Sequence, residues 1–288
     1  NIGGNAVDAA VAVGFSLAIT LPRAGNLGGG GFMLVYIKEK NEIFYIDYRS
    51  KSPLNSNLEN IFNIKDDSGK NYETVPKNFD SKKYDLVDTG YKASAVPGTV
   101  AGLLEAHSRF GKLKLKDILE PVIKQAKQGI VVSYDLSKAI ESTPRLANDP
   151  ESKKIYFDND TPIQQYSLLK LPDLANTLTL ISKHGKDGFY KGETAKKIVE
   201  AMQKNNGLMS LNDFSDYKAY IKKPISTEYR GNKVYTAGPP SGGGITLLTA
   251  LNILSYFDLA KYKSNSVMTY HLFSEALRRG HNNRSSEV

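Results

Sequence analysis

Residues 32–37 read Phe32-Met33-Leu34-Val35-Tyr36-Ile37, and residues 43–48 read Ile43-Phe44-Tyr45-Ile46-Asp47-Tyr48. A short charged turn, Lys38 to Glu42, lies between them, so the pair predicts an antiparallel β-hairpin built from β-branched and aromatic residues. Both strands are apolar at consecutive rather than alternate positions. Strands of that kind are expected to be covered on both faces, which places their sheet between other layers.

Upstream, the glycine-rich residues 25–31 lead into the hairpin, and Pro22 closes an apolar run from Asn5 to Leu21. Asn5 is suited to cap a helix through Ala6, Ala9, Ala10, Val13 and Leu17. Small residues on several of its faces predict a buried, closely packed helix. The run carries Asp8 and is too short to cross a bilayer, so no membrane span is expected. The chain opens at Asn1, just before this helix, with neither Met nor a leader, and further residues are expected to precede it.

Downstream, Leu54 to Lys92 is rich in Asn, Asp, Lys and Ser without a steady period, as in a long surface connection. Pro97-Gly98-Thr99 then opens a helix through Val100, Leu103, Leu104 and His107, ended by Gly111. Apolar residues at spacings of three and four predict further helices over Leu115–Gly129, Leu171–His184 and Thr194–Lys204, with a short one starting at Ser210. Strands are expected at Lys223–Tyr229 and Lys233–Thr236. The turn Gly238–Gly244 then precedes an apolar helix, Ile245–Phe257, and a last helix runs from Ser266 to about Arg279. The alternation is mixed α/β.

At 288 residues and 40% hydrophobic content the chain can bury a sizeable core, and length alone allows one large domain or two small ones. The net charge of +8 raises the question of a polyanionic partner. Its basic residues are scattered among acids, however, with no basic helix and no interleaved aromatic stripe, which argues against nucleic acid. The absence of cysteine excludes disulfides and zinc-thiolate sites and suits an exported protein. The four histidines are isolated from one another, so no metal site is expected.

Three features compete for chemistry. Gly28-Gly29-Gly30-Gly31 offers consecutive backbone N–H groups suited to an anion, but a strand follows where a dinucleotide fingerprint needs a helix, so a sharp buried turn is expected instead. Ser241 sits in a glycine-rich turn before an apolar helix, as a nucleophile would; yet Pro239 stands where G-x-S-x-G needs glycine, and no histidine is tied to it. A serine hydrolase using Ser241 is therefore the distant alternative. Arg49 ends the second strand in Asp47-Tyr48-Arg49, ahead of Ser50-Lys51-Ser52-Pro53. A planar guanidinium at a strand exit can grip a carboxylate through two hydrogen bonds, although from position alone a rim arginine paired with a local acid such as Asp47 is the favoured explanation.

Four segments, in order, resemble the γ-glutamyltransferase (γ-glutamyltranspeptidase) family: Gly3–Ala12, Ala24–Phe32, Ala95–Gly102 and Pro239–Gly243. Gly188–Gly192, Pro224-Ile225 with Tyr229-Arg230-Gly231, and Leu251–Leu254 are lesser matches. The resemblance implies a four-layer αββα sandwich of the N-terminal-nucleophile hydrolase type, of which this chain supplies the large-subunit part. It implies a precursor that cuts itself, a small subunit whose new N-terminal threonine is the nucleophile, and glutathione or another γ-glutamyl compound as donor to water or an amine. The same resemblance gives Arg49 the donor's α-carboxylate and gives Ser241 a structural loop. It places the catalytic threonine outside this chain and the protein in a periplasmic or extracellular compartment. Ser50 stands where the family usually has Glu, which leaves the donor open. A poly-γ-glutamate capsule depolymerase is a close relative, and a non-catalytic glutamyl-binding homologue is the competing class.

Overall fold

The computed structural model describes residues 3–57 and 89–287. In chain order the main elements are α1 (Ala6–Thr20), β1 (Phe32–Ile37), β2 (Glu42–Asp47), α2 (Thr99–Phe110), α3 (Leu115–Gln128), β3 (Ile130–Val131), α4 (Tyr134–Glu141) and α5 (Pro150–Tyr156). They continue with β4 (Phe157–Asp158), β5 (Thr161–Pro162), β6 (Leu168–Leu169), α6 (Pro172–His184), α7 (Asp187–Tyr190), α8 (Gly192–Lys204) and α9 (Leu211–Asp216). The last are β7 (Tyr220–Lys222), β8 (Ile225–Tyr229), β9 (Asn232–Thr236), α10 (Gly242–Leu254) and α11 (Val267–Glu287). Most of the long connection expected over Leu54 to Lys92 lies outside the described residues.

These elements fall into two compact units, one of residues Asn1–Gly31 and Tyr48–Ala219, the other of Phe32–Asp47 and Tyr220–Val288. In the first, α1 packs on α2 and α3, and α3 packs on α6. Val11, Phe15 and Ile19 recur every fourth residue along α1 and are fully buried, as are Val100, Leu119, Leu178 and Ile181 of the neighbouring helices. Gly14 permits the close approach: a Cβ there would stand 2.7 Å from a Leu103 methyl. The expectation of a wholly buried α1 is corrected on its other side, where Ala9, Ala10 and Val13 are exposed. Alanines tolerate either environment, which is why that face was not legible.

The start of α1 ties two segments together. Asn5 Oδ1 accepts from the Val7 and Asp8 amides at 2.9 and 3.0 Å, while Asp8 Oδ2 accepts from the Asn5 amide at 2.8 Å. This reciprocal capping satisfies donors that the first turn of a helix leaves open. Asn5 Nδ2 also donates to the Phe110 carbonyl at the end of α2, at 2.6 Å, and the Asp8 carboxylate accepts from the Lys112 and Leu113 amides. Asp8 is only 3% exposed.

In the second unit β1 and β2 form the expected hairpin, with Leu34 opposite Tyr45, and β7 adds to the far side of β2 with Ile221 opposite Ile46. Tyr45 and Ile46 point to opposite faces of β2 and both are buried, so cover on two faces holds for the central strand. It fails for β1, the edge, where Leu34 and Tyr36 are 41% and 56% exposed. Asp47 is held by Lys222 at 2.6 Å, and the β8–β9 hairpin turns through Arg230 and Gly231, both at positive φ. Helices α10 and α11 pack together around Ala250, Leu254 and Ala276.

Burial alone would raise the Asp8 carboxyl, but the Asn5, Lys112 and Leu113 amides and the nearby His107 hold it below the usual carboxylate range. A depressed folded-state pKa adds stability that is complete above the unfolded value, about 3.9, and is lost as pH falls through the folded one. Asp8→Asn is expected to lower the urea-unfolding free energy at pH 7 by about 1–3 kcal/mol, because its amide would face backbone donors. The difference from wild type should shrink as pH is lowered below about 4.

Candidate functional site

Arg49 lies in the first unit, on a backbone clamped on both sides. Before it, Tyr48 exchanges two hydrogen bonds with Gly31, at 3.2 and 3.0 Å; after it, Lys51 exchanges two with Val96, at 3.1 and 2.8 Å. Arg49's own carbonyl accepts a hydrogen bond from the Tyr217 hydroxyl at 2.9 Å. The side chain itself is exposed. A cation on a fixed main chain, open to solvent, is arranged to meet an anion.

Two glycines make the clamp possible. A Cβ on Gly30 would collide with the Ser50 amide, and a Cβ on Gly98 would collide with both the Tyr48 carbonyl and the Tyr217 hydroxyl. The Gly98 and Thr99 amides converge on the Gly29 carbonyl at 2.7 and 3.0 Å, which joins the glycine run to the start of α2. One turn into α2, Gly102 leaves room for the ring of Tyr48. The expected turn at Gly28–Gly31 therefore holds, but not its burial, since Gly28 and Gly30 are exposed. Close approach of backbone to backbone, rather than depth in a core, is what these positions require.

Tyr217 belongs to an aromatic cluster that the sequence reading missed. Its ring stacks on Tyr190 at 5.5 Å with 7° between planes, and Tyr190 meets Phe189 edge-on at 5.0 Å. The Tyr190 hydroxyl donates to the Pro97 carbonyl at 2.8 Å and accepts from the Ala101 amide at 3.2 Å. Burial raises the Tyr190 hydroxyl well above its ordinary pKa, so it stays protonated as a donor. Two ammonium groups flank the stack: Lys51 stands 5.2 Å over Tyr217 and Lys186 stands 5.3 Å over Tyr190. Lys186 also donates to the Tyr217 carbonyl, and burial, with help from Lys218, lowers its pKa.

The other expected candidates are placed as follows. Asp47, the acid named as an alternative partner for Arg49, has a carboxylate 8% exposed and bound to Lys222. Ser241 caps α10, its amide bonded to the Gly238 carbonyl at 3.0 Å, and its hydroxyl bonds no histidine among the described residues. The expected turn over Gly238–Gly244 is shorter than predicted, because Gly242–Gly244 form the first turn of α10. Packing requires glycine at Gly244, where a Cβ would strike the Ala237 carbonyl, whereas a Cβ on Gly242 would meet the movable end of the Arg284 side chain. His107 Nε2 donates to the Leu113 carbonyl at 2.8 Å, a structural contact. No three of His, Cys, Asp and Glu converge on a metal-sized space among the described residues. A cavity of about 1030 Å³ opens in the second unit, lined by Tyr36, Ile43, Lys222, Lys233 and Tyr235 among others, and includes neither Arg49 nor Ser241.

No spacing rule marks Tyr217 or Tyr190, since the hydroxyl of Tyr217 meets Arg49 across 168 residues of chain. The quoted segment Ala95–Gly102 was a usable signal: it contains the glycine at the crossing and the carbonyl that holds Tyr190.

The chain is similar in sequence and in structure to known proteins. The chain is 40% identical over 285 residues to the glutathione hydrolase proenzyme of Escherichia coli K12, covering 98% of this chain and 47% of that protein. Against the glutathione hydrolase proenzyme of Bacillus subtilis 168 it is 35% identical over 284 residues, covering 99% and 46%. Among solved structures, Helicobacter pylori gamma-glutamyltranspeptidase superposes with a TM-score of 0.87 at 35% identity, over 98% of this chain and 77% of that one. The Bacillus anthracis transpeptidase CapD superposes with a TM-score of 0.77 at 28% identity, over 99% and 85%. The chain spans about half the length of the curated relatives it matches. No helix among the described residues is long and apolar enough to cross a membrane. All of residues 1–288 match the family described as Gamma-glutamyltranspeptidase, so the chain belongs to that family and has its mixed α/β, N-terminal-nucleophile hydrolase fold.

Proposed function

We propose that this chain is the large-subunit part of an enzyme that cleaves γ-glutamyl amide bonds, with Arg49 holding the donor's α-carboxylate. The observation that carries the reading is the exposed Arg49 side chain on a backbone fixed by Gly31, Val96 and Tyr217. Pre-fixing the main chain removes ordering cost when a ligand binds, so the guanidinium's two-pronged contact is realised in affinity. Family membership and the glutathione hydrolase relatives support glutathione or a similar compound as donor.

In this reading residues 1–288 form one incomplete domain, and a small subunit from the same precursor brings the threonine nucleophile, whose α-amine serves as base. The threonine hydroxyl attacks the γ-carbonyl, the amine leaves with a proton, and the acyl-enzyme passes to water or an amine. Arg49 takes no proton; it sets where the γ-carbonyl lies by fixing the other end of the glutamyl group. No metal or organic cofactor is invoked. The working compartment is periplasmic or extracellular, as the family resemblance implies.

A polymeric γ-glutamate donor is the second reading. Lys51, two residues beyond Arg49, adds a positive group over Tyr217 that suits the α-carboxylate of a neighbouring glutamyl unit.

Three outcomes are expected in the assembled enzyme. Arg49→Lys should lower kcat/KM for a γ-glutamyl anilide by the equivalent of about 2–4 kcal/mol, and a wild-type value refutes the clamp. Ser241→Ala should keep kcat within about three-fold of wild type, whereas a serine hydrolase would lose all turnover. Lys51→Ala should weaken hydrolysis of an oligo-γ-glutamate several-fold, roughly the value of one exposed ion pair, and leave the anilide unaffected; equal effects on both donors exclude the polymer reading.

A further inference from the structure

We propose that Tyr217 is a positioning residue for Arg49: its hydroxyl fixes the main-chain point from which the guanidinium reaches the donor's carboxylate. The inference rests on the reading of Arg49 as the carboxylate clamp. Arg49 sits at the changeover between two backbone pairings, Tyr48 with Gly31 and Lys51 with Val96. Its carbonyl belongs to neither exchange, and the Tyr217 hydroxyl holds it at 2.9 Å. Removing that bond takes away a hold on the peptide between the two pairings and gives it more freedom to rock. A rocking peptide would swing a side chain as long as arginine's through a wide arc, and a two-pronged grip tolerates little more than about 0.5 Å of misplacement.

Tyr217 is equipped to hold a fixed position. It is 2% exposed, and its ring lies flat on Tyr190, which is itself pinned through its hydroxyl to Pro97 and Ala101. Its own carbonyl receives the Lys186 ammonium, so ring and main chain are both anchored. Gly98 leaves the space that the hydroxyl occupies: a Cβ there would collide with that hydroxyl and with the Tyr48 carbonyl together. A tyrosine kept merely to fill space would be served by phenylalanine. Here ring, stack and glycine aim one hydroxyl at one carbonyl, that of the arginine.

Tyr217→Phe keeps the ring and removes only the hydroxyl. In the assembled enzyme we expect KM for a γ-glutamyl anilide to rise about five-fold, the weight of one hydrogen bond, with kcat within about two-fold of wild type. The rise should vanish for a donor whose α-carboxylate is replaced by a carboxamide, and it should vanish in the Arg49→Lys background, because in both cases there is no grip left to position. Tyr217→4-aminophenylalanine, which restores a donor, should return KM towards wild type. An unchanged KM in Tyr217→Phe overturns the inference. So does a rise that persists with the carboxamide donor or in the Arg49→Lys background, since the tyrosine would then act on folding alone. If Arg49→Lys raises KM while Tyr217→Phe does not, only this inference falls; if Arg49→Lys is itself silent, the clamp reading fails and takes this one with it.

Discussion

At Gly98 two stretches of main chain approach so closely that no side chain fits between them. The contact is of backbone with backbone: the Gly98 and Thr99 amides meet the Gly29 carbonyl, and the space a Cβ would need is filled by the Tyr48 carbonyl and the Tyr217 hydroxyl. From this crossing α2 sets out with its first buried residues, Thr99 and Val100, and the chain around Arg49 is located with respect to the glycine run 28–31. Glycine costs conformational entropy in the unfolded chain, roughly 0.5–1 kcal/mol relative to alanine, and that cost is offset here by hydrogen bonds no larger residue would permit.

The crossing explains how a small set of residues shapes a site with little depth. The aromatic cluster below it contributes ring contacts, each worth about 0.5–1.5 kcal/mol beyond area burial, and it also supplies two hydroxyls in defined positions. One of them, from Tyr190, ties the Pro97 carbonyl to the first turn of α2; the other, from Tyr217, reaches the arginine's main chain. Asp8 plays a comparable part at the far end of α2, where its carboxylate gathers amides from α1 and from the segment after Phe110. Thus both ends of α2 are secured by groups distant in sequence, which suits a helix whose start carries the site.

Much of this was legible in the sequence, for identifiable reasons. The hairpin around Lys38–Glu42 and helices such as Leu115–Gln128 were readable because their apolar residues recur with a definite period, and Asn5 and Ser210 were readable as helix starts because capping depends on a local pair of side chains. Local signals failed where a third segment decides. Gly242–Gly244 read as a turn because glycine disfavours helices, but the Ala237 carbonyl occupies the space a side chain on Gly244 would need, and the helix forms around it. The exposure of Leu34 and Tyr36 was invisible because an edge strand and a central strand can have the same composition. Arg49 was found as a strand-end cation, while Tyr217 was not, since a hydrogen bond across 168 residues leaves no trace in spacing.

The bonds that clamp the backbone around residue 49 are made to main-chain atoms: those of Tyr48 and Lys51 on either side, and its own carbonyl. None of them depends on which side chain the position bears. Where these bonds are concerned the scaffold behaves as a socket, and under the carboxylate-clamp reading an exchange of the arginine would alter what the site recognises while they remain. A lineage built on this frame can change the charge it selects by a single codon, whereas a change at Gly98, which is chemically inert, would dismantle the socket itself.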